Sequence, residues 1–224
     1  MRRLLIVAII VMSILTAGVV TTCYRIKDAS KPKTETCVIK TDMRKLWSDH
    51  AFWTREVIGC IVDNSPGKAE AIGRLLRNQD EIGDAIKPYY GELAAKELTR
   101  LLRYHIVVAA DVVTAARDGN ASALEKANVK WYANSKEIAE FLSKANPNLE
   151  AADMRYMMDY HLRLTTTEVV TRIQKNYTEN VKAFDKVYYE VLEMSDMISL
   201  GIVKQFPEKF ACDDSKDNGG HDHY

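Results

Sequence analysis

Three stretches of sequence decide the fold: Asp42–His50 (DMRKLWSDH), Glu97–His105 (ELTRLLRYH) and Asp153–His161 (DMRYMMDYH). Each stretch begins with an acidic residue and ends, eight positions later, with a histidine. Apolar residues recur within each stretch at the spacing of one face of an α-helix, and the histidine falls on that face. The three stretches therefore predict three amphipathic helices, each of which buries a histidine.

A second set of three related stretches follows the histidines at a nearly constant distance. These stretches are Asn78–Asp84 (NQDEIGD), Asn134–Glu140 (NSKEIAE) and Glu190–Asp196 (EVLEMSD), and they begin 28, 29 and 29 residues after the matching histidine. Their first residue, an amide or a carboxylate, also lies on an apolar helical face. Six matched segments predict three similar helical hairpins in tandem.

The breaks between these segments predict an all-α fold, an antiparallel six-helix bundle over residues 41–210. Turn-forming residues place the turns near 64–66, 88–91, 118–121, 146–148 and 176–178, and residues 211–224 are predicted to be a disordered tail. Residues equally far from a turn share a level in an up-and-down bundle. The three histidines and the first residues of the second set are therefore expected to form one layer near the middle of the bundle.

The N-terminal residues predict export. Arg2 and Arg3 precede an apolar run at residues 4–20, the pattern of a signal peptide or of an N-terminal hydrophobic anchor helix. Residues 1–22 are predicted to be one or the other, and residues 23–40 a linker. The bundle is then membrane-anchored or secreted, on the extracytoplasmic side, with the membrane as a partner through residues 4–20. Lys and Arg equal Asp and Glu at 31 each, so no basic excess favours nucleic acid.

The four cysteines predict one disulfide. Cys37 precedes the first predicted helix and Cys212 follows the last, and an even number of helices brings both to the same end of the bundle. Export permits a disulfide. We expect Cys37 and Cys212 to be within bridging distance, and Cys60 to be free.

The polar layer has two interpretations, and the sequence leaves both open. In the first, His50, His105 and His161 bind a transition metal ion of unidentified type, with Glu190 as the fourth ligand and Glu168 as the next candidate. In the second, the histidines pair with Asn78, Asn134 and Glu190 in a hydrogen-bond network that fixes helix register. The chain lacks a Gly-rich phosphate loop, a nucleophile elbow and a cysteine beside a histidine, so nothing in the sequence supports catalysis.

Several segments resemble an uncharacterised family of bacterial helical-bundle proteins. They are His50–Arg55 (HAFWTR), Leu75–Gly91 (LLRNQDEIGDAIKPYYG), Trp131–Asn134 (WYAN), Ala145–Asn148 (ANPN) and Gly201–Pro207 (GIVKQFP). The resemblance covers nearly all of residues 41–210. It implies that relatives often carry a histidine where Glu190 stands. Some members bear enzyme names such as glycosyltransferase, a chemistry that none of these residues supports.

Overall fold

The computed structural model describes residues 35–210, with side chains from Val38 onward. This part of the chain consists of helices joined by short turns. It contains five α-helices, α1 (Glu35–Val62), α2 (Lys68–Arg117), α3 (Ala121–Ala145), α4 (Ala151–Ile173) and α5 (Tyr177–Gln205), and a 3₁₀ turn at Pro207–Lys209. No strand occurs among these residues, which confirms the all-α class. None of the described helices is long and apolar enough to cross a membrane.

The described residues form five continuous helical segments and not the predicted six, because the second and third predicted helices run together as the 50-residue α2, which consists of two helices joined across a kink at Gly91. The expected break is reduced to Gly91, whose backbone (φ 80°, ψ 175°) is not helical. Glycine has no Cβ and adopts positive φ at little cost. The chain nevertheless reverses there, since the Arg103 guanidinium lies 2.8 Å from the Asp80 carboxylate. On a straight helix, 23 residues would span about 35 Å.

The remaining turns lie close to their expected positions, and asparagine caps two of the helices that follow them. Asn120 accepts a hydrogen bond from the backbone N–H of Ala123 at the start of α3, and Asn176 accepts one from Glu179 at the start of α5. Such caps satisfy backbone donors that the first helical turn leaves unpaired. Because Asn176 is the cap, α5 begins at Tyr177, inside the predicted turn.

The helices pack as a bundle in chain order, and α5 closes it by packing against α1. A large apolar cluster lies on one side of the histidines and includes Met43, Leu98 and Met194. Two smaller clusters lie on the other side, and they include Val57 and Leu162. The buried histidines therefore lie between two apolar halves of the core.

Four predictions concern residues at the ends of the chain. Helix α1 begins at Glu35, inside the stretch 23–40 that was predicted to be a linker. The hydrophobic segment 4–20, the tail 211–224 and the Cys37–Cys212 bridge lie outside the part of the chain whose side chains are described, so they stay predictions. Cys60 is a free, buried thiol.

Candidate functional site: a buried histidine layer

The three histidines converge in the middle of the bundle. Helix α1 supplies His50, the second half of α2 supplies His105, and α4 supplies His161; each is 4% exposed. The ring centroid of His161 lies 6.0 Å from that of His50 and 6.3 Å from that of His105. The predicted mid-bundle position follows from equal distances to the turns, and the inward direction follows from placement on the apolar faces.

Each histidine nevertheless has a partner of its own. His50 Nδ1 lies 3.2 Å from the Gln79 amide nitrogen, and His105 Nδ1 lies 2.8 Å from Asn134 Oδ1. His161 Nδ1 lies 2.7 Å from Glu190 Oε2. In all three pairs the partner comes 29 residues after the histidine.

The structure corrects the sequence-based prediction for His50, which paired this histidine with Asn78. Asn78 instead donates to the backbone carbonyl of Leu46, at 3.0 Å, and its side-chain oxygen accepts from Gln79. Asn134 combines both functions, because it also donates to the carbonyl of Leu101 at 3.2 Å. If the separation between each histidine and its partner had been required to be 29 residues in all three pairs, the sequence would have identified Gln79.

Hydrogen bonds fix the tautomer of His105. The indole N–H of Trp131 donates to His105 Nε2 at 3.0 Å, so this nitrogen carries a lone pair and no proton. The proton is therefore on Nδ1 and is donated to Asn134 Oδ1. Both ring nitrogens of His105 are thus engaged within the protein. No pattern in the sequence predicted the bond between Trp131 and His105.

His50 is the opposite tautomer. The Gln79 amide nitrogen shares its two hydrogens among His50 Nδ1 at 3.2 Å, the Leu75 carbonyl at 2.9 Å and Asn78 Oδ1 at 3.0 Å. Because an amide nitrogen can only donate, His50 Nδ1 is the acceptor and the proton of His50 is on Nε2. Burial, together with the nearby His161, lowers the pKa of His50 to about 3. Burial and His161 likewise lower the pKa of His105 to about 3. Both rings are therefore neutral at physiological pH.

His161 and Glu190 form the one charged pair of the layer within the described residues. Burial alone would lower the pKa of His161, but the Glu190 carboxylate outweighs burial and raises it above the ordinary 6.5. The second oxygen of Glu190, Oε1, is buried and has no hydrogen-bond partner among the described residues. The layer therefore holds a proton between His161 and Glu190 while the other two rings stay neutral.

Glu168, the fifth predicted ligand, belongs to a different contact. Its Oε1 accepts from the Arg55 guanidinium on α1 at 3.0 Å, and its side chain is 2% exposed. Burial raises the pKa of Glu168 to about 7, against the opposing effect of Arg55. The sequence shows Glu168 as an acid on an apolar stripe, but no pattern in it pointed to Arg55 as the partner.

A cavity of about 20 Å³ adjoins the layer on the side of the large apolar cluster. It is bordered by the three histidines, and three methionines, Met43, Met158 and Met194, also line it. Its volume is about what one water molecule needs. The methionines are buried among the apolar residues of the core, as expected for core filling.

The arrangement does not resemble an assembled metal centre. Within the part of the chain that the structure describes, no group of three or more His, Cys, Asp or Glu side chains is placed to hold a metal ion. His50, His105, His161 and Glu190 share the layer, but the Nδ1 atom of each histidine bonds to a partner of its own, which for His161 is Glu190. The geometry thus favours the hydrogen-bond network.

Comparison with known proteins adds no function. No protein-family model, no curated protein and no solved structure matches this chain. The resemblance to bacterial helical-bundle proteins therefore stays a prediction, and function has to be argued from the layer itself.

Proposed function

We propose that the chain is a non-catalytic helical module, exported or held at the membrane by residues 4–20, whose buried layer fixes the register of its helices. One observation carries this proposal: each histidine bonds to its own partner 29 residues later, on the neighbouring antiparallel helical segment. A stable helical surface displayed outside the cytoplasm suits a structural or interaction role.

The same contacts support a bundle of three hairpin repeats. Asn78 donates to the carbonyl of Leu46, and Asn134 donates to the carbonyl of Leu101. Each carbonyl belongs to the residue four positions before a layer histidine. Two hairpins therefore use the same backbone contact at the same position, in addition to the pairs made by the histidine rings.

Register follows from the cost of breaking these pairs. If one helix slipped by a turn, its side chains would move by about 5.4 Å, and every pair it makes in the layer would separate. Each buried donor or acceptor left unpaired costs about 1–3 kcal/mol. Apolar neighbours alone would tolerate such a slip better, because dispersion contacts are less directional.

Transition-metal binding by His50, His105, His161 and Glu190 is a second candidate, and the short distances between the three rings favour it. It requires His105 to give up the hydrogen bond from Trp131 or the one to Asn134. It also requires the Glu190 carboxylate to turn from His161 towards the ion. Glu168 would contribute only after leaving Arg55.

Substitutions at Glu190 separate the two candidates. Glu190→Gln creates a histidine–amide pair of the kind that His50 already makes, and we expect the folded bundle to be retained. Glu190→Leu leaves His161 unpaired, and we expect a loss on the order of 3 kcal/mol in the free energy of unfolding. Urea unfolding measures both variants, and elemental analysis of the purified protein accompanies it.

Either of two results would favour the metal site instead. One is a metal ion present at one equivalent in the unchanged protein and lost in a folded Glu190→Gln variant. The other is a Glu190→Gln variant as unstable as Glu190→Leu.

The membrane part of the proposal has a separate test. Cells that express the full chain are fractionated beside cells that express a chain lacking residues 1–22. We expect the full chain in the membrane or extracytoplasmic fraction and the shortened chain in the cytoplasm. Equal distribution of the two chains would contradict anchoring or export through residues 4–20.

A further inference from the structure

A second cavity, of about 120 Å³, lies between α1, α2, α3 and α4 in the other half of the bundle. Its wall is mainly apolar and includes Val57, Ile58, Leu75, Val113 and Val169. Protein interiors are packed nearly as densely as organic crystals, and few voids exceed the size of a water molecule. Space of this size forfeits dispersion contacts that a ligand would restore.

Two hydroxyl groups distinguish this cavity from a packing defect. Thr54 and Thr165 line it, and the Oγ1 atoms of both are buried without a hydrogen-bond partner among the described residues. Thr165 is only 4% exposed. The nearby hydroxyls of Thr166 and Thr171 donate to helix carbonyls in the usual way. A buried hydroxyl without a partner is costly, so a ligand group that bonds to it would gain affinity.

The size and chemistry of the wall define the ligand. An apolar protein cavity of about 150 Å³ accommodates the six carbon atoms of benzene, so this slightly smaller one suits about five or six non-hydrogen atoms. No Asp, Glu, Lys, Arg or His lines it, and an unpaired charge would be expensive to bury there. We propose that the cavity binds a compact, neutral, mainly apolar molecule with one hydroxyl-type group, which hydrogen-bonds to Thr165 and Thr54. The site does not depend on the proposed function of the layer.

One side of the cavity lies near solvent, and a tryptophan in its wall can report binding. Thr166 and Val170, which are exposed, line one side of the cavity and place that side near solvent. Trp131 also lines the cavity, and its indole N–H donates to His105. A bound molecule therefore contacts a ring whose N–H resonance can be followed directly, after assignment with a Trp131→Phe variant.

Cyclopentanol and methylcyclopentane form a matched pair of probes with six non-hydrogen atoms each, because they differ by a hydroxyl in place of a methyl group. The full-length protein is titrated with each while the Trp131 indole resonance is recorded. We expect both to produce saturable shifts, with cyclopentanol binding more tightly. Absence of a saturable shift for cyclopentanol in the folded protein would overturn the proposal.

Variants then test the cavity and its hydroxyl. Ala109→Leu, or Ala110→Leu if the first does not fold, fills the space and should abolish binding of both probes; Ala152→Leu, on the exposed face of α4, is the control and should bind normally. Thr165→Val should weaken cyclopentanol binding about tenfold and leave methylcyclopentane binding unchanged. Binding that survives in the folded filling variant would place the probes elsewhere. Equal effects of Thr165→Val on the two probes would refute recognition of the hydroxyl.

Discussion

At the scale of single residues, the neutral state of His105 determines how stability depends on pH. Its pKa is about 3 in the folded chain and near 6.5 when unfolded, so below pH 6.5 only the unfolded chain takes up this proton. Its contribution to stability is therefore complete above pH 6.5 and is lost progressively as the pH falls towards 3. The contribution of His50 to stability depends on pH in the same direction. The contribution of His161 depends on pH in the opposite direction, because its pKa is raised in the folded chain, and it is lost as the pH rises.

We expect a His105→Gln variant to be less sensitive to acid than the unchanged protein. Between pH 7 and pH 5 the unchanged protein should lose about 2 kcal/mol more unfolding free energy than the variant, since one depressed histidine pKa is removed. Urea unfolding at the two pH values gives this difference, and contributions from other groups cancel in it. A difference near zero would mean that His105 takes up its proton over the same pH range in the folded and in the unfolded chain.

Asn134 should be among the most sensitive positions in α3. We expect Asn134→Ala to lower the free energy of unfolding by about 2–3 kcal/mol, because it leaves the Nδ1–H of His105 buried without an acceptor. Lys136 lies in the same helix, is exposed and makes no side-chain hydrogen bond or ion pair with a described residue. Lys136→Ala is therefore the control and should change stability by less than about 0.5 kcal/mol. Equal effects of the two substitutions would exclude a structural role of the pair.

The sequence identifies the layer better than it identifies the bonds within it. The histidines and Glu190 were found because buried polar residues interrupt apolar stripes at regular intervals. Gln79 and Asn78 are adjacent, however, and a helical pattern does not decide which of two neighbouring amides reaches the ring of His50. The bond between Trp131 and His105 depends on side-chain rotamers, which periodicity does not specify.

At the scale of helices, the reversal in α2 rests on Gly91 and on close packing of the two halves. A methyl group built on Gly83 would lie 3.0 Å from the carbonyl oxygen of Ala95 and would overlap the side chain of Thr99. The two halves therefore approach each other closely beside the reversal. The sequence predicts a turn at this place from Pro88 and Gly91. It does not predict that helical structure continues almost to the reversal on both sides, because helix length is set by packing of the hairpin.

Two glycine substitutions in α2 should have opposite effects. Gly91→Ala places a side chain at φ 80° and should destabilise the protein by about 1–2 kcal/mol. Gly73→Ala adds a methyl group inside the helix, where no atom lies within 4 Å, and should stabilise it by about 0.5–1 kcal/mol. Thermal or urea unfolding of both variants gives the comparison. If Gly91→Ala were also stabilising, the chain would continue as helix through this position.

At the scale of the whole molecule, the polar layer links helices that lie far apart in sequence. Its pairs join α1 to the first half of α2, the second half of α2 to α3, and α4 to α5. The three rings then meet at the centre, between two apolar halves of the core. We therefore make one central claim, that the histidines are held by separate hydrogen bonds and differ in protonation.

Long-range ¹H–¹⁵N correlation spectra of the histidine rings test that claim most directly. At pH 6 an ordinary histidine is largely protonated. We expect His50 to carry a proton only on Nε2, His105 only on Nδ1, and His161 on both nitrogens. Three rings with one common pattern, whose unprotonated nitrogens shift when a chelator is added, would contradict the hydrogen-bonded layer and establish a shared metal ion instead.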